Sequence, residues 1–390
     1  MIINMTQENK IKEVLTRGVE NIYPNKEALE SVLKSGQKIK LYNGIDPTGP
    51  TLHLGHLVQM MKLKQFQDLG HKIIILIGDF TAQIGDPTDK SAVRKKLTHE
   101  QVMKNCQGYK EQIGKVLDLD KIEFRYNSEW LGKLSFADVI ELSSNFTAQQ
   151  TLARDMFKKR IEAEKDLYLH EFLYPMMQAY DSVYLDVDLE IGGNDQMFNM
   201  LAGRTLMKKV KNKEKYVMTT KLLEDTGGVK MGKTENNMVA LNEKPDQMFG
   251  QIMAWSDELI LPGFELLTDL KIEKIDNPRN DKAKLAKAII ERFYSKEEAD
   301  QAEKEFEKIF KDKDKPTKIP IAKVARGDYK IVDLLFQIGL ASSKGEAIRL
   351  IEQGGVKIND QKIDDIHQIM VVKDKMIIQV GKRKFIQIKI

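Results

Sequence analysis

The sequence predicts an α/β protein: a domain built on a parallel sheet, then a helical domain and a small α+β domain. Three observations carry this. Residues 73–77, Ile-Ile-Ile-Leu-Ile, form the continuous apolar run of a strand buried on both faces of a parallel sheet. The run follows a segment of helical periodicity, and that segment follows a Gly- and Pro-rich turn, as in a strand–helix–strand crossover. After Tyr329, short amphipathic helices give way to Gly354-Gly355 and short alternating segments, the pattern of a separate small domain.

Residues 39–44 read as a short strand that follows a lysine-rich helix, and Asp46-Pro47-Thr48-Gly49-Pro50 as a turn. From His56, Leu57, Met60, Met61, Leu63 and Phe66 recur at helical spacing until Gly70, where a helix can end. With the strand at 73–77 this is a βαβ unit. Unpaired N–H groups and the positive dipole end at its helix start favour phosphate, so a nucleotide is the expected ligand.

His53-Leu54-Gly55-His56 stands at that helix mouth. Gly55 lets backbone and nucleotide approach closely, and the histidine rings offer N–H donors to phosphate or ribose oxygens. Much later, Lys230-Met231-Gly232-Lys233-Thr234 follows Asp225-Thr226-Gly227-Gly228, a segment flexible enough to close over a ligand. Lysine suits such a loop because its ammonium is a compact charge on a long stem. Singly, these elements also read as ordinary turn histidines and a solvated charged loop. Together they are what steadies a triphosphate whose α-phosphorus is under attack.

Residues 235–310 read as helical and highly charged, and 311–330, with Pro316 and Pro320, as a linker. Ile331, Leu334, Leu335 and Ile338 predict an amphipathic helix ending at Gly339, Ser342 and Ser343 start a second, and residues 356–359 and 382–390 read as strands.

At 390 residues the chain exceeds what one core serves, so two or three domains are expected. Residues 1–12 are polar rather than a signal sequence, and no apolar run approaches the ~18 residues of a membrane span, so a soluble cytoplasmic enzyme is expected. The single cysteine, Cys106, excludes an internal disulfide. Met197, Met200 and Met207 read as core filler, and His71, His99, His170 and His367 share no metal-ligand spacing, so no metal site is expected. The net charge is +4, and residues 329–390 carry 11 Lys and Arg against 7 Asp and Glu, 11 − 7 = +4, so the rest sums to zero. A basic end domain on a neutral body suits contact with phosphates.

The paired elements resemble the two ATP-binding motifs of the class I aminoacyl-tRNA synthetases, and the residues around them resemble the bacterial tyrosyl-tRNA synthetases. The second motif departs from the common Lys-Met-Ser-Lys-Ser form at Gly232 and Thr234, which keeps both lysines but removes one hydroxyl. The resemblance runs from about Gly18 to the C-terminus. It implies a Rossmann-like catalytic domain over 1–234 with a dimer-forming insertion at about 118–190, a helical anticodon-side domain over 235–315, and an S4-like RNA-binding domain over 329–390. The last rests on Ser343-Lys344-Gly345-Glu346-Ala347 and Gly354-Gly355-Val356-Lys357-Ile358-Asn359, with Lys344, Arg349 and Lys357 facing RNA phosphates.

The resemblance also implies a tyrosine pocket formed by Tyr42, Thr81, Asp86, Asn127, Tyr174, Gln178, Asp181 and Gln196. Tyr174, Gln178 and Asp181 lie at i, i+4 and i+7 and would share one helix face. Asp86 would pair with the α-ammonium group, and Tyr42 with Asp181 would bond the phenolic hydroxyl, leaving buried polar groups unpaired against phenylalanine. ATP would meet Gly44, Asp46, His53, Gly55, His56, Gly193, Asp195, Lys230, Met231 and Lys233. Among these, His53, with Thr48, would contact the β,γ-phosphates, His56 and Asp46 orient the nucleotide, Gly193 and Asp195 hold the ribose, and Lys230 and Lys233 clamp pyrophosphate.

The implied reaction joins L-tyrosine and ATP, with Mg²⁺ carried by the nucleotide, into tyrosyl-adenylate and passes tyrosine to tRNA(Tyr) from a homodimer. Three rivals share parts of the pattern. A tryptophanyl-tRNA synthetase shares the nucleotide elements, a nucleotidyltransferase of the same superfold shares His-x-Gly-His, and a non-enzymatic RNA-binding protein would keep only the tail.

Overall fold

The computed structural model describes residues 6–86, 97–224, 238–310, 319–381 and 384–390. They fall into two compact units, Met1–Lys296 and Glu297–Ile390.

The first unit is built on strands β1 (Val19–Tyr23), β2 (Lys40–Ile45), β3 (Lys72–Ile77), β4 (Ile122–Tyr126), β5 (Leu189–Gly193) and β6 (Tyr216–Thr220), in the order β1-β6-β5-β2-β3-β4. β2 through β6 pair in parallel, as the apolar run at 73–77 predicts. β1 pairs antiparallel with β6 at the edge, a mixed feature without a signal in the sequence. The chain steps from β2 through β3 to β4 on one side and from β5 to β6 on the other, so the order reverses between β2 and β5. In open α/β sheets the crevice at the carboxyl ends of such a pair receives the ligand.

The helix Leu54–Asp68 joins β2 to β3 and buries Leu57, Met60, Met61, Leu63 and Phe66. It begins two residues before His56 because His53 is its N-cap, and the chain leaves it through Gly70 at φ +78°, a left-handed conformation that glycine adopts without strain. The helix Leu169–Leu185 packs against Met197–Lys211. Helices Pro245–Met253, Ile260–Leu267 and Pro278–Ile290 also belong to this unit. The Arg17 guanidinium holds the end of the second of them, donating to the carbonyls of Phe264, Glu265 and Thr268 at 2.8, 3.0 and 2.9 Å.

The second unit contains the helix Lys296–Phe310 from Glu297 onward, strands β7 (Ile321–Lys323) and β8 (Asp328–Lys330), and helices Ile331–Gln337 and Lys344–Glu352. Strands β9 (Val356–Ile358), β10 (Gln361–Ile363), β11 (Ile369–Val371), β12 (Ile377–Val380) and β13 (Lys384–Lys389) complete it. Five strands form a sheet in the order β10-β9-β12-β13-β7, and β11 pairs with β8. Ile331, Leu334, Leu335, Ala347, Ile351, Val356 and Ile378 fill the core, so the two predicted helices are present with their apolar faces inward.

The linker expected over 311–330 is corrected from Ile321 onward. β7 runs parallel to β13, β8 pairs with β11, and Val324 is buried in the core. Pro320 misled because proline is tolerated at the start of an edge strand, and here its carbonyl accepts from the Gln387 N–H at 2.8 Å. Among the described residues no helix is long and apolar enough to cross a membrane, and Cys106 is a free, buried thiol.

Candidate functional site

A cavity of about 300 Å³ opens at the carboxyl ends of β2 and β5, where the strand order reverses. Tyr42, Thr81, Asp86, Asn127, Tyr174, Gln178, Asp181 and Gln196 all line it, together with Gly44, Asp46, Thr48, His53, Gly55, His56 and Asp195. Gly193 ends β5 beside this group, and a Cβ there would lie 2.6 Å from Asp195 Oδ1. Lys230, Met231 and Lys233 lie outside the described residues. Residues 239–241, which follow them, run alongside the first motif: Leu54 N–H donates to the Val239 carbonyl at 3.1 Å and Leu241 N–H to that of Leu52 at 2.9 Å.

At the cavity mouth, His53 caps its helix by accepting the Gly55 N–H on Nδ1 at 3.1 Å, and His56 Nδ1 accepts the His53 N–H at 3.2 Å. Each ring uses Nδ1 as acceptor, so in the neutral form its proton resides on Nε2 and that edge is the donor. The first turn of the helix carries no acidic side chain to compete with an anion.

Deeper in, six side chains form a chain of contacts. Asp46 receives the hydroxyls of Thr81 on Oδ1 at 2.7 Å and of Tyr174 on Oδ2 at 2.8 Å. Asn127 Nδ2 lies 3.0 Å from Thr81 Oγ1 and 3.3 Å from Asp181 Oδ2, and Trp130 Nε1 donates to Asp181 Oδ1 at 2.7 Å. Burial pushes the Asp181 carboxyl well above the usual carboxylate range, against the pull of the Trp130 and Asn127 donors. Burial also raises the Tyr42 and Tyr174 phenols well above their ordinary value, with neighbouring carboxylates adding to it, so both stay protonated.

Asp86 is already paired: Arg154 Nη2 lies 3.1 Å from Oδ1, and the amides of Gln196 and Asn199 donate at 2.9 and 3.3 Å. Gln178 donates to Glu190 at 3.0 Å, and Tyr42 Oη meets Ser182 Oγ at 3.0 Å. Arg154, Trp130, Ser182, Glu190 and Lys215 are the residues that sequence reasoning missed. Glu190 carries a signal, a charge inside the apolar strand β5. Lys215, in the run Lys211-Asn212-Lys213-Glu214-Lys215, carries none.

The model of the family described as tRNA synthetases class I (W and Y) matches residues 34–311, and that of a tyrosine–tRNA ligase SYY-like C-terminal domain matches 305–388. The tyrosine–tRNA ligase of Carboxydothermus hydrogenoformans is 46% identical over 96% of this chain and 97% of its own length. That of Thermotoga maritima is 42% identical over 98% of each. The chain belongs to the tyrosine–tRNA ligase family. Among solved structures, the tyrosyl-tRNA synthetase of Archaeoglobus fulgidus complexed with L-tyrosine shares the fold at TM-score 0.61 and 20% identity, over 76% of this chain and 100% of that one. A C-terminally truncated mitochondrial synthetase of Coccidioides posadasii does so at TM-score 0.62 and 23% identity, over 77% and 92%. The C-terminal match favours this family over the tryptophan branch.

Proposed function

We propose that this synthetase activates L-tyrosine with ATP in the cavity between β2 and β5 and then passes tyrosine to the 3′ end of tRNA(Tyr). The observation that carries the reading is the pairing of two groups in one cavity. Tyr42 and Asp181, 1% and 2% exposed, form a polar end suited to a phenol, and His53 and His56 sit at a helix N-terminus suited to phosphate.

In this reading the tyrosine carboxylate attacks the α-phosphorus and pyrophosphate leaves. The protein positions the reactants and stabilises the developing charge. Tyr42 and Asp181 hold the phenol, while Thr81, Asn127, Tyr174, Gln178 and Gln196 shape the rest of the pocket. Asp86 attracts the α-ammonium, with Arg154 already against it. Gly44, where a Cβ would meet nothing nearer than 4.0 Å, leaves the entrance open. Thr48 and His53 meet the β,γ-phosphates, His56 and Asp46 orient the nucleotide, Gly55 lets it approach the backbone, Gly193 and Asp195 hold the ribose, and Lys230, Met231 and Lys233 complete the clamp on pyrophosphate. Magnesium arrives with the nucleotide. Among the described residues, no group of three or more His, Cys, Asp or Glu side chains could hold a metal ion.

The division into catalytic (1–234), helical (235–315) and RNA-binding (329–390) parts belongs to the same proposal, as do a cytoplasmic location and a homodimer. Phe136 and Leu169, 81% and 84% exposed on the insertion, favour a covered surface there. Lys344, Arg349 and Lys357 are exposed on the second unit and suit RNA phosphates, although Lys344 also pairs with Asp333 at 2.6 Å. Pyrophosphate exchange into ATP across the twenty amino acids tests the reading: exchange with tyrosine alone is expected, and tryptophan-dependent or amino-acid-independent exchange overturns it.

A further inference from the structure

Behind the pocket lies a buried cation that the reaction above does not use. Lys215 precedes β6 and its side chain is 0% exposed. Its ammonium donates to the Glu190 carboxylate, to Ser182 Oγ at 2.7 Å and to the Met200 carbonyl at 3.2 Å, so all its protons are placed. The space is kept open by Gly203, where a Cβ would lie 2.5 Å from Lys215 Nζ and 2.9 Å from Ser182 Oγ. The same ion pair holds a second pocket residue, because the other Glu190 oxygen accepts from Gln178.

The hydrogen-bond inventory gives this cluster a direction. An ammonium can only donate, so Ser182 Oγ accepts from Lys215 and has one proton of its own to give. Two acceptors are near: Tyr42 Oη at 3.0 Å and Glu190 Oε2 at 3.4 Å. Hydroxyl bonds form at roughly 2.5–3.0 Å, so the proton goes to Tyr42. Tyr42 is thereby an acceptor on its Ser182 side, which leaves its own proton for the Glu190 carboxylate beside it or for a ligand in the cavity.

We propose that Lys215 and Ser182 are positioning residues that turn the Tyr42 hydroxyl into a donor toward the ligand, so that a substrate phenol accepts from Tyr42 and donates to Asp181. This rests on the proposed role of Tyr42. It makes the preference for tyrosine over phenylalanine depend on residues that do not touch the substrate.

The test compares tyrosine- and phenylalanine-dependent pyrophosphate exchange for Ser182→Ala, for the pair Lys215→Met with Glu190→Gln, and for Tyr42→Phe. The paired variant avoids stranding a buried Glu190 charge if Ser182→Ala does not fold. Ser182→Ala is expected to narrow the tyrosine-to-phenylalanine ratio of kcat/KM about tenfold, through the KM for tyrosine, with phenylalanine kinetics and the KM for ATP unchanged. The paired variant should narrow it similarly. Equal losses for both amino acids would mean a packing role only and overturn the proposal, as would an unchanged ratio in Ser182→Ala when Tyr42→Phe narrows it. An unchanged ratio in Tyr42→Phe would remove Tyr42 from the pocket, and the relay with it.

Discussion

Tyr174 donates its phenolic proton to Asp46 across 2.8 Å, which ties the helix carrying Gln178 and Asp181 to the turn after β2 that leads into the His53 cap. The contact joins a residue assigned to the amino-acid pocket with one assigned to the nucleotide. Tyr174→Phe removes a buried hydrogen bond to a charged group, a loss of about 1.5–3 kcal/mol. The expected outcome is a fall in kcat/KM of tenfold or more for both tyrosine and ATP in the exchange reaction. A fall confined to tyrosine would show that the bond does not couple the two halves.

His53 has a structural task and a chemical one, and asparagine separates them. Its Nδ1 caps the helix, which asparagine does equally well, whereas only the imidazole presents a donor at Nε2. His53→Asn should therefore unfold at nearly the same temperature as the parent but form adenylate much more slowly in single turnover, with ATP affinity little changed, because the contact strengthens as charge moves onto pyrophosphate. Weakened ATP binding with an unaltered chemical step would remove His53 from the transition state.

The sequence made legible what local chemistry repeats. The apolar run at 73–77 announced β3, the i, i+4, i+7 spacing put Tyr174, Gln178 and Asp181 on one helix that lines the cavity, and Gly339 and Ser343 bounded the two C-terminal helices. What stayed hidden was long-range. β1 pairs with β6, far along the chain in the same unit, and β7 finds its partner β13 at the chain's end, so neither pairing leaves a local trace. Arg154 and Lys215 are chemically indistinguishable in sequence from surface cations. Only the fold brings the first to Asp86 and the second to Glu190.

His71 makes folding sensitive to acid. Its Nδ1 accepts the Ile39 N–H at 3.3 Å, and burial, aided by the Lys38 charge, lowers the ring to about 4 from 6.5. The unfolded chain takes up a proton on this ring as the pH falls through 6.5 and the folded chain only near 4, so the contribution is full above 6.5 and lost across that window. The loss amounts to up to about 3 kcal/mol. His71→Gln should reduce the difference in urea-unfolding free energy between pH 7 and pH 4.5 by a large part of that amount. An equal difference in both proteins would mean that other groups set the acid limit.

Removing residues 311–390 should separate the two half-reactions. A cut at Tyr329 would leave β7 without β13 and expose Val324, so the whole strand-bearing segment has to go. Every described residue assigned here to tyrosine and ATP lies in the first compact unit, whose sheet is complete without the removed segment. Tyrosine-dependent pyrophosphate exchange should persist. Aminoacylation should fall severely, because the surplus positive charge of the chain lies in the removed part and tRNA held through phosphates depends on it. In the intact protein, raising salt should weaken transfer far more than exchange, for the same reason. Equal loss of both activities in the truncated chain would mean that the second unit stabilises the first, and full aminoacylation would mean that Lys344, Arg349 and Lys357 do not hold the tRNA.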